Sequence, residues 1–442
     1  MINYLHLSNF RAFKDLQLRF AALNIFVGPN NSGKSSAISA INLIAQNVKR
    51  DRRGSGLALT GNYTDLGSYY DVVYGHKANS NMKIAFGING IDYEYNFRYR
   101  LQRRQIELYK ASINNKSAKY TFSLTKEGSE HAITTEGKRG SNKILGVRPR
   151  LSGLTFFLPI SNVMSAENDK DRGIYQEARS LLMRSAMNLE DQFSNFDAVG
   201  PFRASPERTY LYSGEAPHEV GRQGENFAQI LANSSSSRDR QSQIMVSRVS
   251  KWFSGAGIAN SIQIRGLTNR HFELCVEDRI GFASNIVDVG FGCSQVLPVV
   301  IGGYRLVQNK VDSRPRQPGL FVVQEPEIHL HPSAAAHLGS FFVDLVRNSV
   351  QCFVETHSEN IVLRVARHIA AGHLKAEDVK IFWVSDDGLE RSVTELEFKD
   401  DGSFEIEWPE GFFPTRSQEV LALAKSASKI SDGGQLELAL QW

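Results

Sequence analysis

The stretch Gly28-Pro-Asn-Asn-Ser-Gly-Lys-Ser35 has the residue types and the spacing that phosphate binding requires. It satisfies the pattern G-x-x-x-x-G-K-[ST], in which glycines let consecutive backbone N–H groups curl around phosphate oxygens. The lysine neutralises phosphate charge, and the last hydroxyl can bind Mg²⁺. The pattern therefore predicts a nucleoside triphosphate site rather than a chance glycine-rich turn. The predicted ATP-binding residues are Gly28, Asn30, Asn31, Ser32, Gly33, Lys34, Ser35 and Ser36, with Ser35 also assigned to Mg²⁺.

A second group of candidate residues lies in Leu320-Phe-Val-Val-Gln-Glu-Pro-Glu-Ile-His-Leu-His-Pro332. The apolar residues predict a buried strand whose polar side chains emerge at its carboxyl end, where a Walker B strand places its acids. Glu325 fits the role of orienting the attacking water. Gln324 stands where an aspartate is usual and is assigned with Ser35 to Mg²⁺. Glu327 follows a proline, and we expect it to point elsewhere.

The apolar stretch Phe353-Val-Glu-Thr-His357 predicts another strand that ends in a histidine. A histidine at this place can reach the γ-phosphate of a bound nucleotide and respond to its loss. A lone histidine is more often structural, but this one follows a strand downstream of the Walker B candidate. His357 is therefore assigned, with Glu325, to the catalytic residues.

The segment Asp288-Val-Gly-Phe-Gly-Cys-Ser-Gln-Val-Leu-Pro298 predicts a glycine-rich turn that enters a helix. Free N–H groups and small residues at a helix start can bind a phosphate. A plain helix cap with glycines for tight packing is the better explanation when the segment is considered alone. Its order among the other motifs favours phosphate binding by Gly290, Gly292 and Ser294.

The surrounding pattern indicates which elements position these residues. Leu23-Asn-Ile-Phe-Val27 predicts a buried strand before the phosphate loop, and Ser36–Ile44 predicts a helix after it. Alternating residues predict a small antiparallel β layer within 60–160, and helical spacing predicts helices that project from the core within 166–195. The predicted division is an N-terminal ATPase lobe at 1–160, a helical insertion and linker at 161–257, and a C-terminal lobe at 258–442.

The composition excludes several classes of protein. Among 442 residues, 51 Lys and Arg against 47 Asp and Glu give a net charge of +4, too small to indicate a nucleic-acid binder by itself. Cys275, Cys293 and Cys352 lack disulfide or metal-type spacing, which suits a reducing compartment. No apolar run approaches the roughly 20 residues of a membrane span, and the start lacks a signal-peptide pattern. We expect a cytoplasmic protein without a membrane partner.

The order of phosphate loop, glycine and serine signature, Walker B strand and histidine resembles the ABC-type ATPase heads of the RecF, SMC and overcoming-lysogenization-defect group. The opening Leu7-Ser-Asn-Phe-Arg-Ala-Phe13 is similar to the first strand and arginine-containing turn of that group. The closer resemblance is to stand-alone ATPase subunits of bacterial antiphage systems such as Septu and PARIS. The segments that carry it are Asp65–Ser68, Gly200–Arg203 with Pro206, Gly221–Gly224, Val289–Gln295, Pro326–Pro332 and Trp408–Phe413.

The resemblance implies an α/β fold, a P-loop ATPase head of the ABC type with an antiparallel β layer and a helical insertion. It implies head-to-head dimers or higher oligomers that hold ATP between the phosphate loop of one subunit and the signature of the other. Gly290, Gly292 and Ser294 would then act in trans. The implied function is an ATPase that regulates an effector protein, such as a nuclease, in antiphage defence. Gln324 departs from the family pattern, so hydrolysis is expected to be slow.

Two other functions remain open at the level of sequence. The first is a DNA-binding ATPase of repair, for which Arg98, Arg100, Arg103, Arg104, Lys138, Arg139, Lys143, Arg148 and Arg150 form a candidate basic patch. A solvated face of the β layer explains the same residues. The second is a nuclease with its own Toprim-type domain, for which Asp386-Asp387 is the nearest acidic pair. This pair is expected to form a turn before the next strand.

Overall fold

The computed structural model describes residues 1–50, 56–115, 118–124, 131–137, 140–147, 150–152, 154–157, 169–214, 217–308, 318–388 and 390–404. The tail Trp408–Phe413 lies outside these residues, as do Lys138, Arg139 and Arg148 of the candidate basic patch. No helix among the described residues combines the length and the apolar composition that crossing a membrane requires.

The described strands are β1 Ile2–Phe10, β2 Phe13–Arg19, β3 Leu23–Val27, β4 Met82–Ile88, β5 Ile91–Arg100, β6 Gln105–Asn115, β7 Ala118–Leu124, β8 His131–Gly137, β9 Gly140–Val147, β10 Arg150–Ser152, β11 Thr155–Phe157, β12 Phe196–Val199, β13 Tyr210–Leu211, β14 Ser261–Gly266, β15 His271–Glu277, β16 Ala283–Asn285, β17 Gly319–Gln324, β18 Val350–Glu355, β19 Val379–Asp386 and β20 Arg391–Leu396. The described α-helices are α1 Lys34–Lys49, α2 Tyr69–Val72, α3 Asp169–Ser194, α4 Phe227–Ser236, α5 Arg240–Ala256, α6 Phe291–Gln308, α7 Pro332–Arg347 and α8 Glu359–Ala370.

The central sheet has six strands in the order β12-β17-β18-β3-β19-β20. All neighbours are parallel except the hairpin of β19 and β20 at one edge. Both faces of this sheet are covered, so its strands are almost continuously apolar. Successive residues point into two different cores: Phe26 packs with α1 and α3 on one face, whereas Ile25 and Val27 pack with α6 and α7 on the other.

A second sheet of eight antiparallel strands has the order β2-β1-β4-β5-β6-β7-β8-β9. It packs on the same face of the central sheet as α1, through residues such as Leu7, Ile84 and Tyr95. The smaller sheet of β13, β14, β15 and β16 lies beside α4 and α5. The predicted α/β architecture with an antiparallel β layer is therefore confirmed, and β1 and β2 belong to that layer.

The helix α3 differs from the expectation for 166–195. Its apolar residues Tyr175, Ala178, Leu181, Leu182 and Leu189 are buried in the core that contains α1, so the helix lies against the core and does not project from it. The apolar residues recur at helical spacing, so one face of the helix is buried, whereas Met183 and Met187 remain about half exposed on the rest of its surface.

The predicted lobes share one sheet. The N-terminal strand β3 lies between β18 and β19 of the C-terminal region, and β12, within the predicted insertion, pairs with β17. The boundary near residue 160 lies outside the described residues, and the division into 1–160, 161–257 and 258–442 stays a prediction. Asp386 and Asp387 lie at the turn between β19 and β20, as expected.

Candidate functional site

The carboxyl ends of three adjacent parallel strands meet at one edge of the central sheet. Gln324 of β17 pairs in register with Glu355 of β18, which pairs with Phe26 of β3 just before the phosphate loop. A cleft of about 860 Å³ opens at this edge. The predicted residues that line it are Asn30, Asn31, Gly33, Lys34, Ser35, Ser36, Glu325 and His357. Residues distant in sequence therefore lie together at this edge, whereas the predicted residues Gly28, Ser32 and Gln324 do not line the cleft, and the assignment of all of them to ATP and Mg²⁺ stays a prediction.

The phosphate loop depends on glycine at two positions. Gly28 has φ +146°, and a Cβ there would lie 2.1 Å from the carbonyl oxygen of Val384 on β19. Gly33 has φ +111°, and its Cβ would lie 2.9 Å from that of Ala12. L-residues rarely adopt such backbone angles, and the contacts leave no room for a side chain. Glycine at these two positions therefore lets the phosphate loop lie close to β19 and to the turn between β1 and β2.

Lys34 begins α1 and directs its ammonium back across the loop. Its Nζ donates to the carbonyl oxygens of Gly28 at 3.0 Å and Pro29 at 2.6 Å. Burial lowers the pKa of Lys34, and the nearby carboxylate of Glu355 opposes that shift. The hydroxyl of Ser32 is buried and has no hydrogen-bond partner among the described residues. The loop thus offers a buried cation and an unpaired hydroxyl, which fits a phosphate ligand.

Glu355 is a site residue that the sequence analysis did not assign. Its side chain is 3% exposed, and its Oε1 accepts a hydrogen bond of 2.6 Å from the Ser35 hydroxyl. Its Oε2 accepts a hydrogen bond of 2.7 Å from Nε2 of Gln324. Glu355 is a polar residue at the end of an apolar strand, which is the local signal of a site residue. His357, two positions later, was assigned to the site instead.

Glu325 has an unusual backbone held from two sides. Its φ is +47°, a left-handed conformation that is uncommon outside glycine. Its N–H donates to the Glu355 carbonyl at 2.7 Å, and its own carbonyl accepts from Nη2 of Arg203 at 3.0 Å. The same Nη2 donates to the Gln324 carbonyl at 2.8 Å. Arg203 therefore fixes the turn that aims Glu325 at the cleft.

Arg203 itself is enclosed, with 8% of its surface exposed. Burial lowers the pKa of its guanidinium to about 10, and attraction to Glu327 and Glu325 opposes this change. Its Nε and Nη1 have no hydrogen-bond partner within the described part of the chain. In the sequence, Arg203 is marked only by the family resemblance of Gly200–Arg203, because nothing local indicates which carbonyl groups it contacts.

Glu327 lies outside the lining of the cleft and supports His357 from behind. One carboxylate oxygen accepts hydrogen bonds of 2.7 Å from the Thr356 hydroxyl and from the backbone N–H of His357. Burial raises the pKa of Glu327. The pKa of His357 is lowered, first by burial and then by the Lys34 charge, which favours the neutral imidazole. Glu327 thus fixes the backbone from which His357 reaches the cleft.

The predicted signature residues lie elsewhere on the same chain. Gly292 packs against the loop after β17, where a Cβ would lie 2.4 Å from the His329 carbonyl oxygen. The Ser294 hydroxyl donates to the Phe291 carbonyl at 2.8 Å, and Gly290 has open space around it. None of Gly290, Gly292 and Ser294 lines the cleft. Their assignment to ATP binding in trans stays a prediction.

The opposite wall of the cleft contains residues that the sequence analysis did not assign. Arg11, in the turn between β1 and β2, lines the cleft with Asp71, His76 and Arg391. Arg391 also pairs with Asp386 at 3.0 Å. Only Arg11 lay in a segment singled out by resemblance. Arg391 is brought there by β20, and Asp71 and His76 by α2 and the 3₁₀ turn after it, so no local sequence signal marks these residues.

The predicted nucleotide-site motifs also lie within the part of the chain that matches a known family. The family model described as AAA ATPase domain matches residues 1–151 and 211–362, which together exceed half of the chain. These ranges include every predicted nucleotide-site residue and leave Arg203 outside. No curated protein matches the chain.

Three solved structures are similar to the chain at low sequence identity. The SMC head domain from Thermotoga maritima is 11% identical, with a TM-score of 0.37 over 89% of this chain and 98% of that one. An SMC head bound to the C-winged helix domain of ScpA is 12% identical, with a TM-score of 0.42 over 90% and 98%. An Smc head with an extended coiled coil, bound to the C-terminal domain of ScpA derived from Pyrococcus furiosus, is 12% identical, with a TM-score of 0.39 over 96% and 99%.

Proposed function

The chain belongs to the AAA ATPase domain family, and from this premise we propose that it binds ATP with Mg²⁺ at the phosphate-loop cleft and hydrolyses it. The observation that carries the proposal is the backbone of Glu325, which Arg203 and the Glu355 carbonyl hold at the mouth of the cleft. A carboxylate aimed at the γ-phosphate position from a fixed backbone suits the orientation of a water molecule.

The phosphate loop binds the triphosphate through its backbone N–H groups, and Lys34 turns its ammonium from the loop carbonyl groups towards phosphate oxygens. Water then forms a bond to the γ-phosphorus while the bond to the β–γ bridging oxygen breaks, giving ADP and phosphate. Glu325 orients the water, and His357 contacts the γ-phosphate. Positioning and electrostatics supply most of the acceleration, since phosphoryl transfer leaves little covalent work to the protein.

The residues at the strand ends fit Mg²⁺. The Ser35 hydroxyl and the Glu355 carboxylate present oxygen atoms to the cleft, and oxygen ligands are those that Mg²⁺ prefers. Gln324 adjoins them through its hydrogen bond to Glu355. When bound, the ion neutralises charge on the β- and γ-phosphates.

A second copy of the chain completes the site in this proposal. The signature at Gly290–Ser294 lies outside the cleft of its own chain, and Phe291 within it is half exposed. Two heads facing each other would bring each signature to the ATP of its partner. Support comes from the residues at the start of α6, because the first N–H groups of a helix lack partners within the helix and favour a phosphate.

The dimeric heads regulate a partner effector, a nuclease in antiphage defence, and the protein acts in the cytoplasm. The support for this role is the sequence resemblance to stand-alone antiphage ATPases. The test is phage plaque formation on cells that express the chain with its neighbouring gene. We expect fewer plaques with the parent and parental plaque numbers with Lys34→Ala, and unchanged plaque numbers with the parent would contradict the role.

A DNA-binding ATPase of repair is the second candidate. In the candidate basic patch, Arg98 and Arg100 share the single carboxylate of Glu107 at 2.6 and 2.7 Å, whereas Arg103 and Arg104 are exposed in the β5–β6 turn. The exposed pair favours this candidate because two free guanidinium groups can contact a DNA backbone. DNA that stimulates ATP turnover in the parent, but not in an Arg103→Glu/Arg104→Glu variant, would support it.

The first experiment measures ATP turnover of the purified protein with Mg²⁺, alongside its mass by light scattering with and without nucleotide. We expect turnover, a doubled mass with ATP, and loss of nucleotide binding in Lys34→Ala. The exposed Lys14→Ala serves as control because it removes an equal charge away from the cleft. Parental protein that binds no ATP would overturn the proposal.

A further inference from the structure

Glu355 occupies the position between the two strands that carry the nucleotide motifs. It ends β18, which lies between β17 and β3. Its carboxylate is joined on one side to the Ser35 hydroxyl at 2.6 Å and on the other to the Gln324 amide at 2.7 Å. The carboxylate is buried, yet it lines the cleft. Its carboxyl group therefore lies between the phosphate loop and the Walker B strand.

We propose that Glu355 supplies the Mg²⁺-binding carboxylate of this chain, moved by one strand from position 324, where glutamine stands. This inference rests on the proposed function, since it concerns the metal that accompanies ATP. Gln324 becomes a positioning residue, which holds the carboxylate through its amide.

The hydrogen-bond chemistry supports this division of roles. An ionised carboxylate only accepts hydrogen bonds, so the amide of Gln324 must turn its N–H₂ towards Glu355 and its carbonyl away. The amide then stabilises the charge of its neighbour. Position 324 carries no charge of its own, whereas Glu355 carries the one carboxylate that contacts the Ser35 hydroxyl among the described residues.

The separation of the two oxygens also suits Mg²⁺. Neighbouring ligands of an octahedral ion with bonds of 2.0–2.1 Å lie about 2.9 Å apart. The Ser35 hydroxyl and Glu355 Oε1 are 2.6 Å apart, so a small movement brings them to the spacing of adjacent ligands. Mg²⁺ at phosphates usually takes one or two carboxylates and keeps several waters. It therefore needs no cluster of three acidic or histidine side chains, and the described residues contain none.

The neighbouring carboxylate of Glu327 is used for another purpose. It accepts hydrogen bonds from Thr356 and from the His357 backbone and lies outside the lining of the cleft. Glu325 also lines the cleft, and its backbone turns away from β17 at φ +47°. In the proposed function its carboxylate orients the attacking water. Glu355 alone among these three carboxylates is joined to both Ser35 and Gln324.

The test measures metal affinity directly, with Mn²⁺ as the probe and a non-hydrolysable ATP analogue. Free Mn²⁺ is followed by electron paramagnetic resonance during titration, and analogue affinity is measured separately in EDTA. We expect Glu355→Gln to weaken Mn²⁺ binding in the ternary complex by about 10- to 100-fold. Analogue affinity in EDTA should change by less than about twofold, because the phosphate loop is retained.

Two further variants sharpen the result. Glu359→Gln removes a carboxylate four residues later, at the start of α8. This variant should bind Mn²⁺ as the parent does. Adding Gln324→Asp to Glu355→Gln returns a carboxylate to the neighbouring strand end and should restore Mn²⁺ affinity by at least about tenfold. Circular dichroism establishes that each variant is folded.

Parental Mn²⁺ affinity in folded Glu355→Gln would overturn this inference and leave the proposed function intact. Parental protein that binds neither ATP nor the analogue would overturn both. If Glu355→Gln does not fold, the Glu325→Gln protein with ¹³C-labelled glutamate carboxylates is measured by pulsed paramagnetic resonance. We expect a ¹³C coupling of ligand strength to Mn²⁺, and its absence would overturn the inference.

Discussion

At the scale of single residues, Arg203 controls the position of Glu325 without contacting its carboxylate. A left-handed backbone at a residue other than glycine costs about 1–2 kcal/mol. The conformation of Glu325 persists because Arg203 binds its carbonyl group and the Glu355 carbonyl binds its N–H. The geometry of the water-orienting group thus depends on a guanidinium more than 100 residues away in sequence.

We expect Arg203→Lys to lower kcat for ATP by about 10- to 100-fold and to leave KM within about twofold. An ammonium retains the buried charge, but it does not reproduce the placement of the guanidinium over two carbonyl groups, and a small displacement of a catalytic group is costly. Arg265→Lys, at an exposed pair with Glu273, is the matched control. A raised KM with parental kcat would show that Arg203 acts on binding instead.

We expect Glu325→Gln to bind ATP as the parent does and to lower turnover by about 10²- to 10⁴-fold, because an amide lacks the charge with which a carboxylate orients and polarises the attacking water. Light scattering should then detect a persistent dimer in the presence of ATP. Glu359→Gln is a matched loss of charge outside the cleft lining. Turnover of Glu325→Gln at the parental rate would show that the assignment of Glu325 is wrong.

The sequence identified side chains whose roles follow from local patterns and missed those defined by distant contacts. Lys34 and Ser35 lie in a fixed motif, and Glu325 ends an apolar strand that precedes a proline. Glu355 has a comparable position, but its meaning depends on β18 lying between β17 and β3, and strand order is not local information. The same holds for Arg203.

At the scale of elements, the phosphate loop is shaped by the strand beside it. Gly28 follows β3 and passes against the Val384 carbonyl of β19, so the loop and the last parallel strand are fitted to each other. A side chain at this position would separate them. The helix α1 that follows is almost entirely buried, and it transmits any displacement of the loop into the core.

We expect Gly28→Ala to lower the free energy of unfolding by about 1–3 kcal/mol more than Gly90→Ala, measured by urea denaturation. Both glycines have positive φ, but Gly90 lies in the open turn between β4 and β5, where a Cβ contacts nothing within 4 Å. The larger loss at Gly28 is expected from its overlap with the Val384 carbonyl and from its φ of +146°, which an L-residue adopts less readily than the +80° of Gly90. Equal losses of unfolding free energy in the two variants would show that β19 moves to accommodate the new methyl group.

For α3, the sequence predicts the helix correctly but not its packing against the core. The polar composition of 166–195 suggested helices that project from the core. The spacing of Tyr175, Ala178, Leu181 and Leu182, however, gives one apolar face, and this face covers the sheet. Composition describes both faces together, whereas burial depends on the arrangement of residues around the helix.

At the scale of the whole molecule, the predicted signature does not line the cleft of its own chain. Gly290 is surrounded by open space, and Phe291 beside it is exposed. In the proposed dimer these residues approach the ATP of the partner. A bulky side chain at Gly290 is therefore compatible with the folded monomer and incompatible with the dimer.

We expect Gly290→Trp to bind ATP with parental affinity and to remain monomeric by light scattering in ATP. Gly173→Trp is the matched control, since a Cβ at Gly173 also contacts nothing within 4 Å and its φ lies outside the left-handed region. It should dimerise as the parent does. Dimerisation of Gly290→Trp with ATP would show that the signature is not part of the dimer interface.

The insertion of β3 between β18 and β19 has a consequence for biosynthesis. The phosphate-loop strand leaves the ribosome early, but both of its neighbours in the sheet are translated roughly 300 residues or more later. At about 5–20 residues per second, the motif waits about 15–70 seconds for its partners. During this interval β3 lacks both of its sheet neighbours, although the strands β1 to β5, which pack with α1, are complete by residue 100. We therefore expect the central sheet to form only after translation reaches β19.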